Sequence, residues 1–299
     1  MCRKEIEKMW KIKRNSLQPE KSSLQLRVHE IEDRNGKPVE LPVFEFENIK
    51  NTGIVEHCFS TRLGGVSEGV CSSMNLSFTR GDDPAAVLEN YRRMAQIFGK
   101  SPEDFVCSDQ THTTNVKRVG KAEAGFGVTR EKEYTDVDGL ITNEPGVILS
   151  TFYADCVPLY FVDPVNKAIG LSHSGWRGTV ERMGQKTLEA MKEAFGTEPK
   201  DVIAAIGPSI CQDCYEVSED VAQCFYQEFG DKILLNKGNG KYQLDLWAAN
   251  AIVLQEAGIL PEHLEITDVC TCCNDKLLFS HRASQGKRGN LAAFLMLRD

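Results

Sequence analysis

The stretch from Thr151 to Glu181 constrains the fold more than any other part of the chain. Its apolar, β-rich segments and their flanks predict three neighbouring strands, at residues 147–154, 158–162 and 167–172. Residues 163–166, Asp-Pro-Val-Asn, predict a tight turn between the last two strands. Cys156 and His173 stand where strands end. A thiol and an imidazole at one edge of a sheet predict a site that carries chemistry.

A glycine-rich corner at residues 174–178 predicts an anion-binding helix start beside that site. Thr179 is suited to cap a helix that runs to Phe195. The free amides of the first turn, together with Arg177 and Gly178, would then point toward the thiol and the imidazole. The segment therefore predicts a metal and an oxyanion in one small volume.

Charge and hydropathy exclude several classes of protein. A net charge of −8 offers no general attraction to nucleic acid or to anionic lipid. No apolar run reaches the roughly 18 residues that a membrane span needs, and the charged start MCRKEIEKMWKIKRNS does not resemble a signal peptide. Eleven cysteines, an odd number in a long chain, do not suggest a disulfide framework. We expect a cytoplasmic protein with reduced thiols, a monomer or weak oligomer with no nucleic-acid or membrane partner.

The element order predicts a single α+β domain over residues 23–299, preceded by a flexible extension at residues 1–22. Asn35-Gly36 predicts a hairpin turn between strands at residues 24–31 and 38–46. Hairpins alternate irregularly with helices, expected near 84–98, 218–229 and 245–257. This order argues against a regular βαβ repeat and for mixed sheets.

A second glycine-rich loop, residues 61–69, follows a predicted strand that ends at Ser60. Arg62 is the only cationic side chain of this loop, and Gly64 and Gly65 would let the backbone approach a ligand. Asn75, just beyond the loop, would either bind a polar group of a ligand or close a turn, and the turn is the interpretation that we favour.

His112 is the third residue that suggests metal chemistry. It lies in the polar segment 110–115, beside a strand expected at residues 115–119. Alone, His112 fits a hydrogen-bonded structural residue, just as Cys156 alone fits a buried structural thiol. Combined with His173, the two residues would form a three-ligand zinc site whose fourth position is open to water with a pKa of roughly 7. Copper also binds such nitrogen and sulfur donors.

The remaining cysteines suggest an alternative metal site. Cys211-x-x-Cys214 is a C-x-x-C pair, but the second group, Cys270-Thr271-Cys272-Cys273, is irregular. A structural zinc is one interpretation, and plain thiols packed at a sheet end is the one that we favour. A thioredoxin-like redox site is less favoured, since Cys211 does not begin a clear helix.

Several segments, read together, resemble the laccase-domain family, also called the YfiH-like or polyphenol oxidase family. The combination of Ala-Asp-Cys-x-Pro-Leu with His-Ser-Gly-Trp-Arg-Gly-Thr is very specific. The matching segments span most of residues 43–299: STRLGGVSEG (60–69), GDDPAAVLEN (81–90), SDQTHTTNV (108–116), DGLITNEPGVILSTFYADCVPLYFVDP (138–164), AIGLSHSGWRGTV (168–180), IGPSICQDCYEV (206–217) and CTCCNDKLLFSHR (270–282).

The resemblance implies a four-layer α/β/β/α sandwich and a metal, zinc or copper, held by His112, Cys156 and His173. Members of the family are described as purine nucleoside phosphorylases that act on adenosine, inosine and methylthioadenosine, with adenosine deaminase activity. The substrates implied are therefore a purine nucleoside and phosphate. Older names describe copper-dependent polyphenol oxidases, and some relatives are linked to peptidoglycan editing.

These implications assign hypothetical roles to further residues. Phosphorolysis needs an anion clamp, for which we select Arg62, Arg177 and the amides of Gly178 and Thr179. In deamination, a metal-activated water would attack C6 of adenine while a nearby acid assists the loss of ammonia. Asp155 would be that acid, or would instead hold its loop in place by hydrogen bonds.

Three rival functions stay open on the sequence alone. A copper-dependent polyphenol oxidase would usually need more histidines than the 6 of this chain. A hydrolase acting on peptidoglycan precursors would use Cys156 as nucleophile and His173 as base, without a metal. A binding module would hold zinc but turn over no nucleoside.

Overall fold

The computed structural model describes residues 11–13 and 22–299. Most of the extension expected at residues 1–22 therefore lies outside the described residues. The short part that is described contacts the domain, since Ile12 forms a β-bridge with Val269 and the Lys11 amide donates to Asn274 Oδ1 at 2.6 Å.

Strands and helices follow one another in a mixed order. The strands of the described residues are β1 Leu24–Glu32, β2 Pro38–Phe46, β3 Val55–Ser60, β4 Phe105–Cys107, β5 Val116–Arg118, β6 Gly139–Thr142, β7 Ile148–Tyr153, β8 Val157–Asp163, β9 Ala168–Ser174, β10 Ile203–Ile206, β11 Glu216–Ser218, β12 Leu234–Gly238, β13 Lys241–Leu244, β14 Leu264–Ile266 and β15 Leu291–Leu297. The helices of the same ranges are α1 Glu47–Lys50, α2 Pro84–Ile97, α3 Trp176–Val180, α4 Met183–Phe195, α5 Glu219–Phe229, α6 Leu246–Glu256 and α7 His281–Ser284.

Two six-stranded sheets dominate the described part of the chain. Sheet A has the order β1-β2-β3-β15-β7-β4, and sheet B has the order β14-β10-β8-β9-β6-β5. Both are mixed: only the pairs β4–β7, β5–β6 and β10–β14 are parallel within these sheets. A small antiparallel sheet, β11-β13-β12, shares no strand with sheet A or sheet B.

Three apolar cores separate four layers, which confirms the expected α+β sandwich. Along β8, Tyr160 and Val162 lie in the core between the two sheets, whereas Leu159 and Phe161 lie in the core beneath helices α4 to α6. This division follows from the twofold alternation of side chains along a strand. Because both faces of the strand are buried, its sequence is almost continuously apolar.

The last strand, β15, occupies the middle of sheet A. It pairs antiparallel with β3 on one side and with β7 on the other. Leu295 faces the core between the sheets, and Phe294 faces the core beneath α2. The chain therefore closes sheet A with a strand that is far in sequence from both of its partners.

Local sequence signals for the first hairpin and for helix α2 are confirmed. β1 and β2 pair antiparallel from Leu24↔Phe46 to Glu32↔Pro38, with Gly36 at a φ of +71° in the turn. Asp83 caps α2 by accepting the Ala85 amide at 2.9 Å, with a proline at the first helical position. A polar cap and an N1 proline meet the needs of free helix amides.

The prediction of one helix from Thr179 to Phe195 is wrong about where the helix begins. The structure has a short helix α3, then a break at Arg182, whose φ of 63° and ψ of 45° are left-handed, and then α4. Thr179 lies inside α3, and its hydroxyl donates to Gly175 O at 2.9 Å. Arg182 donates to Gln185, Glu228 and Glu256, and these bonds stabilise a backbone conformation that a non-glycine residue rarely adopts.

A buried carboxylate joins α2 to the hairpin and to the 61–69 loop. Glu89 is 6% exposed and accepts hydrogen bonds from Arg34, Arg92 and Arg93. Arg93 also donates to Gly64 O at 2.7 Å, and Arg92 donates to Glu32 O at 2.8 Å. Burial raises the pKa of the Glu89 carboxyl, but the three arginines outweigh burial and lower it to about 2.

Among residues 11–13 and 22–299, every helix is too short or too polar to span a bilayer.

Glu89→Gln is expected to lower the free energy of unfolding at pH 7 by about 2 kcal/mol, because it leaves buried arginine donors with a weaker acceptor. The folded-state pKa lies below the unfolded value of about 4.3, so the stabilisation by Glu89 is complete well above that pH and is lost as pH falls toward 2. Urea denaturation of both proteins at several pH values measures the difference.

Exposed Glu103 provides the matched control, Glu103→Gln, which should change stability by less than about 0.5 kcal/mol. A difference between wild type and Glu89→Gln that stays constant down to pH 3 would contradict the role given to the carboxylate.

Candidate metal and anion site

Three donors from separate parts of the sequence meet at one end of the two sheets. His112 lies in the loop between β4 and β5, Cys156 in the turn between β7 and β8, and His173 near the end of β9. Their ligand atoms all lie within 4.8 Å of one another. The two imidazole rings are 5.0 Å apart between centroids, at 84° to each other. The structure therefore brings together the three residues that the sequence selected as metal ligands.

A buried aspartate holds two of the three donors in place. Asp138 is fully buried, and its Oδ1 lies 2.7 Å from His173 Nδ1. A carboxylate can only accept, so Nδ1 carries a proton, and Nε2 is the ring nitrogen left to bind a metal once its own proton is lost. The same carboxylate accepts the backbone amides of Thr111, His112 and Thr113 at 3.0 to 3.2 Å. These bonds stabilise the left-handed φ of 67° at His112.

Sequence reasoning missed Asp138. It is an acidic residue directly before the apolar strand β6, a position that would have suggested a polar group at a strand end. Only the fold shows that this strand lies beside β9, with the His173 amide donating to Asp138 O at 2.8 Å.

The thiol and the imidazole stabilise each other's charged forms. Burial raises the pKa of the Cys156 thiol, but His173 and His112 outweigh burial and lower it to about 6. Burial lowers the pKa of His173, but the Cys156 thiolate and Asp138 raise it to about 9. Without a metal, the pair is therefore a thiolate beside an imidazolium at neutral pH, and the soft anionic ligand is already formed.

The donor set fits a zinc or copper ion with one open position. Two imidazole nitrogens and one thiolate are ligands of catalytic rather than closed structural sites. His112 is exposed, while His173 is 3% exposed, so the group opens to solvent on one side. A Cβ at Gly175 would lie 2.8 Å from His112 Cδ2 and 3.4 Å from Cys156 Sγ. Glycine at this position therefore leaves room for the ligands.

A cavity of about 410 Å³ opens from the three donors and reaches the segment just before β15. Its volume lies within the usual range of small-molecule sites, about 300 to 1,000 Å³. Phe78 and Phe152 form apolar parts of its wall. The wall also carries three cationic side chains, those of Arg80, Lys132 and Arg288. Lys132 is already engaged by Asp109 and by Ser108 O.

Arg288 is a buried cation on the cavity wall. It is 9% exposed, and its Nε has no hydrogen-bond partner among the described residues. Its Nη1 donates to Asn290 Oδ1 and Gly289 O, and its Nη2 lies 3.5 Å from His281 Nδ1. No carboxylate among residues 11–13 and 22–299 forms an ion pair with it. Burial and the charge of Arg80 lower the pKa of Arg288 to about 10. A buried guanidinium with a free donor is suited to an anionic ligand. Sequence reasoning missed this residue, because nothing around it resembles a known anion motif.

The two arginines that the sequence selected as an anion clamp do not line this cavity. Arg62 donates to Ser72 O at 2.8 and 3.0 Å and to Asp275 O at 2.8 Å, and it stacks on the Phe279 ring. Arg177 is exposed and lies over the Trp176 ring, 4.3 Å from its centroid. The donors of Arg62 therefore fix its own loop, and the geometry does not support either residue as a clamp for a ligand in the cavity.

The helix start expected to bind the anion also differs from the prediction. Thr179 N donates to Gly175 O at 2.8 Å, so this amide is not free. The Thr179 hydroxyl is bonded to Gly175 O and accepts from Asn250 at 3.1 Å. Gly178 is buried within α3, and a Cβ added to it would lie 3.7 Å from Thr113 O. These residues support the corner after His173, and neither lines the cavity.

The remaining candidates also make internal contacts. Asp155 accepts the Thr271 hydroxyl at 2.6 Å and the Arg282 amide at 2.7 Å, as its loop-holding role requires. Asn75 donates to Ser77 O at 3.0 Å and accepts the Asn290 amide at 2.9 Å, so it closes the turn on the cavity wall.

Gly64 and Gly65 allow tight packing of the 61–69 loop. A Cβ at Gly65 would lie 2.1 Å from Ser73 O, and Gly64 has a φ of +83° with Glu40 O only 2.9 Å from its Cβ position. Their neighbours are protein backbone, and neither glycine lines the cavity.

Comparison with known proteins shows similarity along most of the chain. A family model described as multi-copper polyphenol oxidoreductase laccase matches residues 56–298. Purine nucleoside phosphorylase YlmD of Bacillus subtilis is 34% identical over 247 residues, which cover 81% of this chain and 88% of that protein. A protein named adenosine deaminase RL5, from an unknown prokaryotic organism, is 33% identical over 80% of this chain and 94% of its own length.

A solved structure supports the same relationship at the level of the fold. The crystal structure of Bacillus licheniformis hypothetical protein YfiH aligns with a TM-score of 0.82 at 32% identity. The alignment covers 86% of this chain and 96% of that one.

Asp138→Asn is expected to weaken zinc binding by about 10- to 100-fold, because the amide cannot hold the His173 ring and the 111–113 amides as the carboxylate does. Competition with a chromophoric chelator measures the dissociation constant. Asp136→Asn is the matched control: this exposed aspartate accepts the Thr111 hydroxyl at 2.7 Å but does not contact the His173 ring. Equal zinc affinity in the two variants would contradict the role of Asp138.

Proposed function

The chain belongs to the multi-copper polyphenol oxidoreductase laccase family, and from that premise we propose that it is a metal-dependent purine nucleoside phosphorylase that also deaminates adenosine. Its substrates are adenosine, inosine and methylthioadenosine, together with phosphate. The names of its relatives supply the reaction class. The observation that carries the proposal is one cavity with a three-donor metal site and a buried arginine that has a free donor.

His112, Cys156 and His173 hold the metal in this proposal. A zinc ion with three such ligands acts as a Lewis acid and lowers the pKa of a bound water to about 7. Asp138 keeps the His173 ring in the tautomer that presents Nε2, and it keeps His112 in its strained backbone conformation. The protein's contribution is therefore a set of donors whose positions are fixed before the metal binds.

Arg288 and Arg80 bind the phosphate. Phosphorolysis forms a bond from a phosphate oxygen to C1′ of the ribose and breaks the bond from C1′ to the purine nitrogen, which keeps the electron pair. Arg288 lines the cavity without a carboxylate partner, and exposed Arg80 adds a second positive charge at the same wall. Two guanidinium groups orient the nucleophile and reduce its repulsion from the departing anion.

The apolar walls bind the purine. Phe78 and Phe152 line the cavity; Phe78 precedes all three metal donors in sequence, and Phe152 lies four residues before Cys156. A purine ring between aromatic side chains gains stacking of about 0.5 to 1.5 kcal/mol beyond its area burial. This arrangement leaves the ribose between the base and the phosphate.

Two other functions are less well supported. Multicopper oxidation needs several copper ions, and the other ligand cluster found in the described residues consists of cysteines alone. A cysteine hydrolase is favoured by the proximity of Cys156 and His173, which lowers the pKa of the thiol to about 6. In that case Cys156 would attack the substrate, and no metal would be required.

We also place the protein in the cytoplasm, as a monomer or weak oligomer. All cysteines of the described residues are free thiols, including several close together, and thiols persist where the surroundings are reducing.

Zinc-loaded protein incubated with adenosine should release adenine only when phosphate is present, and should form inosine with or without phosphate. Chromatography separates adenine, inosine and hypoxanthine. Inosine alone would leave deamination as the activity, and no product under either condition would contradict the nucleoside proposal.

A chelator-treated sample is the control for the hydrolase alternative. Both products should disappear after zinc removal and return with added zinc, whereas a thiol hydrolase should not depend on the metal.

Arg288→Gln should raise the KM for phosphate by about 10- to 100-fold, the effect of removing one charge-assisted hydrogen bond. Adenosine deamination does not use phosphate, so its rate should change far less. Steady-state kinetics with varied phosphate measure both effects. Arg62→Gln and Arg177→Gln, made for comparison, should raise this KM less than Arg288→Gln does. A larger effect in either variant would restore the anion site first expected from the sequence.

A further inference from the structure

Four cysteines form a second group of possible metal ligands, outside the cavity. This four-cysteine cluster consists of Cys211, Cys214, Cys270 and Cys273, whose sulfur atoms all lie within 4.8 Å of one another. Cys211 and Cys270 are buried, and Cys214 and Cys273 are partly buried. Nothing in the proposed reaction uses these thiols.

The fold explains why the two cysteine pairs meet. β10 and β14 are parallel neighbours in sheet B, so the loops that leave their carboxyl ends emerge side by side. The pairing continues past the strands: Thr267 N donates to Ile206 O, and Ser209 forms a bridge with Cys270. Each loop then makes a tight turn that contains its own C-x-x-C pair.

Backbone amides and sulfur spacing suit four thiolates around one ion. The amides of Cys211 and Cys273 donate to Cys270 Sγ at 3.3 and 3.4 Å, and such bonds stabilise a negatively charged sulfur. Cys214 Sγ and Cys273 Sγ are 3.4 Å apart. Zinc–sulfur bonds of about 2.3 Å in a tetrahedron place sulfurs about 3.8 Å apart, whereas a disulfide requires about 2.05 Å.

Cys272 accounts for the irregular C-T-C-C pattern. It lies in the same turn but outside the four-cysteine cluster, so Cys270 and Cys273 form a regular C-x-x-C pair across from Cys211 and Cys214. Two C-x-x-C pairs brought together by separate loops are a strong signature of zinc.

We propose that the four-cysteine cluster binds one structural zinc ion. Four thiolates complete a tetrahedron and leave no open position, so the ion would stabilise the fold and would not take part in the reaction. Two cationic side chains lie close to the resulting negative charge. Lys13 pairs with Asp213 at 2.9 Å, and Arg282 donates to Cys214 O at 3.3 Å.

The zinc would also stabilise the backbone next to the cavity, at Asp155. Ile210 N donates to Asp155 O at 3.0 Å, and the Thr271 hydroxyl donates to the Asp155 carboxylate at 2.6 Å. Both loops of the four-cysteine cluster therefore donate hydrogen bonds to Asp155, the residue that precedes Cys156. Fixing the loops on one ion would fix the backbone at a donor of the first metal site.

The experiment separates the two sites by removing one of them. His112→Ala protein, purified in full length without added metal and washed with EDTA, should keep about one zinc per chain by elemental analysis, since a closed thiolate site releases its metal slowly. The double replacement Cys214→Ser and Cys273→Ser in the same background should lose that zinc. Cys272→Ser in the same background is the matched control and should keep it.

A second measurement uses the unmutated chain, so that it does not depend on the folding of a variant. Brief alkylation of the native protein, followed by peptide mass spectrometry, should leave the four cysteines unmodified, whereas Cys272 and Cys224 should react. Treatment that removes the zinc should make Cys214 and Cys273 reactive as well.

Cobalt substitution of the His112→Ala protein, whose first site lacks a ligand, should still give strong thiolate-to-cobalt charge-transfer absorption in the near ultraviolet. The added Cys214→Ser and Cys273→Ser replacements should abolish it.

Four results would overturn the proposal. These are absence of metal from His112→Ala protein, iron with acid-labile sulfide in place of zinc, disulfides among the four cysteines in freshly purified protein, or zinc that persists after the double replacement. None of these measurements depends on turnover of a nucleoside, so failure of the structural zinc and failure of the proposed function are distinguishable.

Discussion

The Asp138 carboxylate is the constraint on which the arrangement of His112, Cys156 and His173 depends. This one buried side chain accepts a hydrogen bond from His173 Nδ1, which fixes the ring, and it accepts hydrogen bonds from the three consecutive amides of residues 111–113. A buried carboxylate without such donors would be strongly unfavourable, so the loop and the charge stabilise each other. Hydrogen bonds from His173 and the 111 and 113 amides outweigh burial and lower the pKa of Asp138. The geometry of the site is therefore set by an anion that is not one of the three donors.

The layered sheets explain why the chemistry is confined to their ends. β8 and β9 are buried along their whole length, so a polar ligand in the middle of either strand would face an apolar core, and His173 accordingly lies one residue from the end of β9. The connection from β7 to β8 spans only residues 154–156, and Asp155 takes a φ of 89° to make it. Cys156 thereby lies where residues next to strands of both sheets line a common cavity.

Local features were predictable from the sequence, and features created by tertiary contacts were not. The Asn35-Gly36 turn and the Asp83 cap depend on residues next to each other, and the structure has both. Arg62 has the sequence setting of an anion clamp, but Ser72 O and Asp275 O take its donors, and no sequence pattern reveals that competition. Arg288 becomes an anion-binding candidate only when the fold buries it without a carboxylate partner.

The central position of β15 has a consequence for how the chain reaches this structure. β3 and β7 are synthesised long before the strand that joins them, and until it inserts each presents an open edge of unpaired backbone groups. Contacts of such high sequence separation slow folding, and open edges favour association between nascent chains. Arg288 and Asn290 directly precede this strand, so its insertion completes the cavity in the same step that closes the sheet.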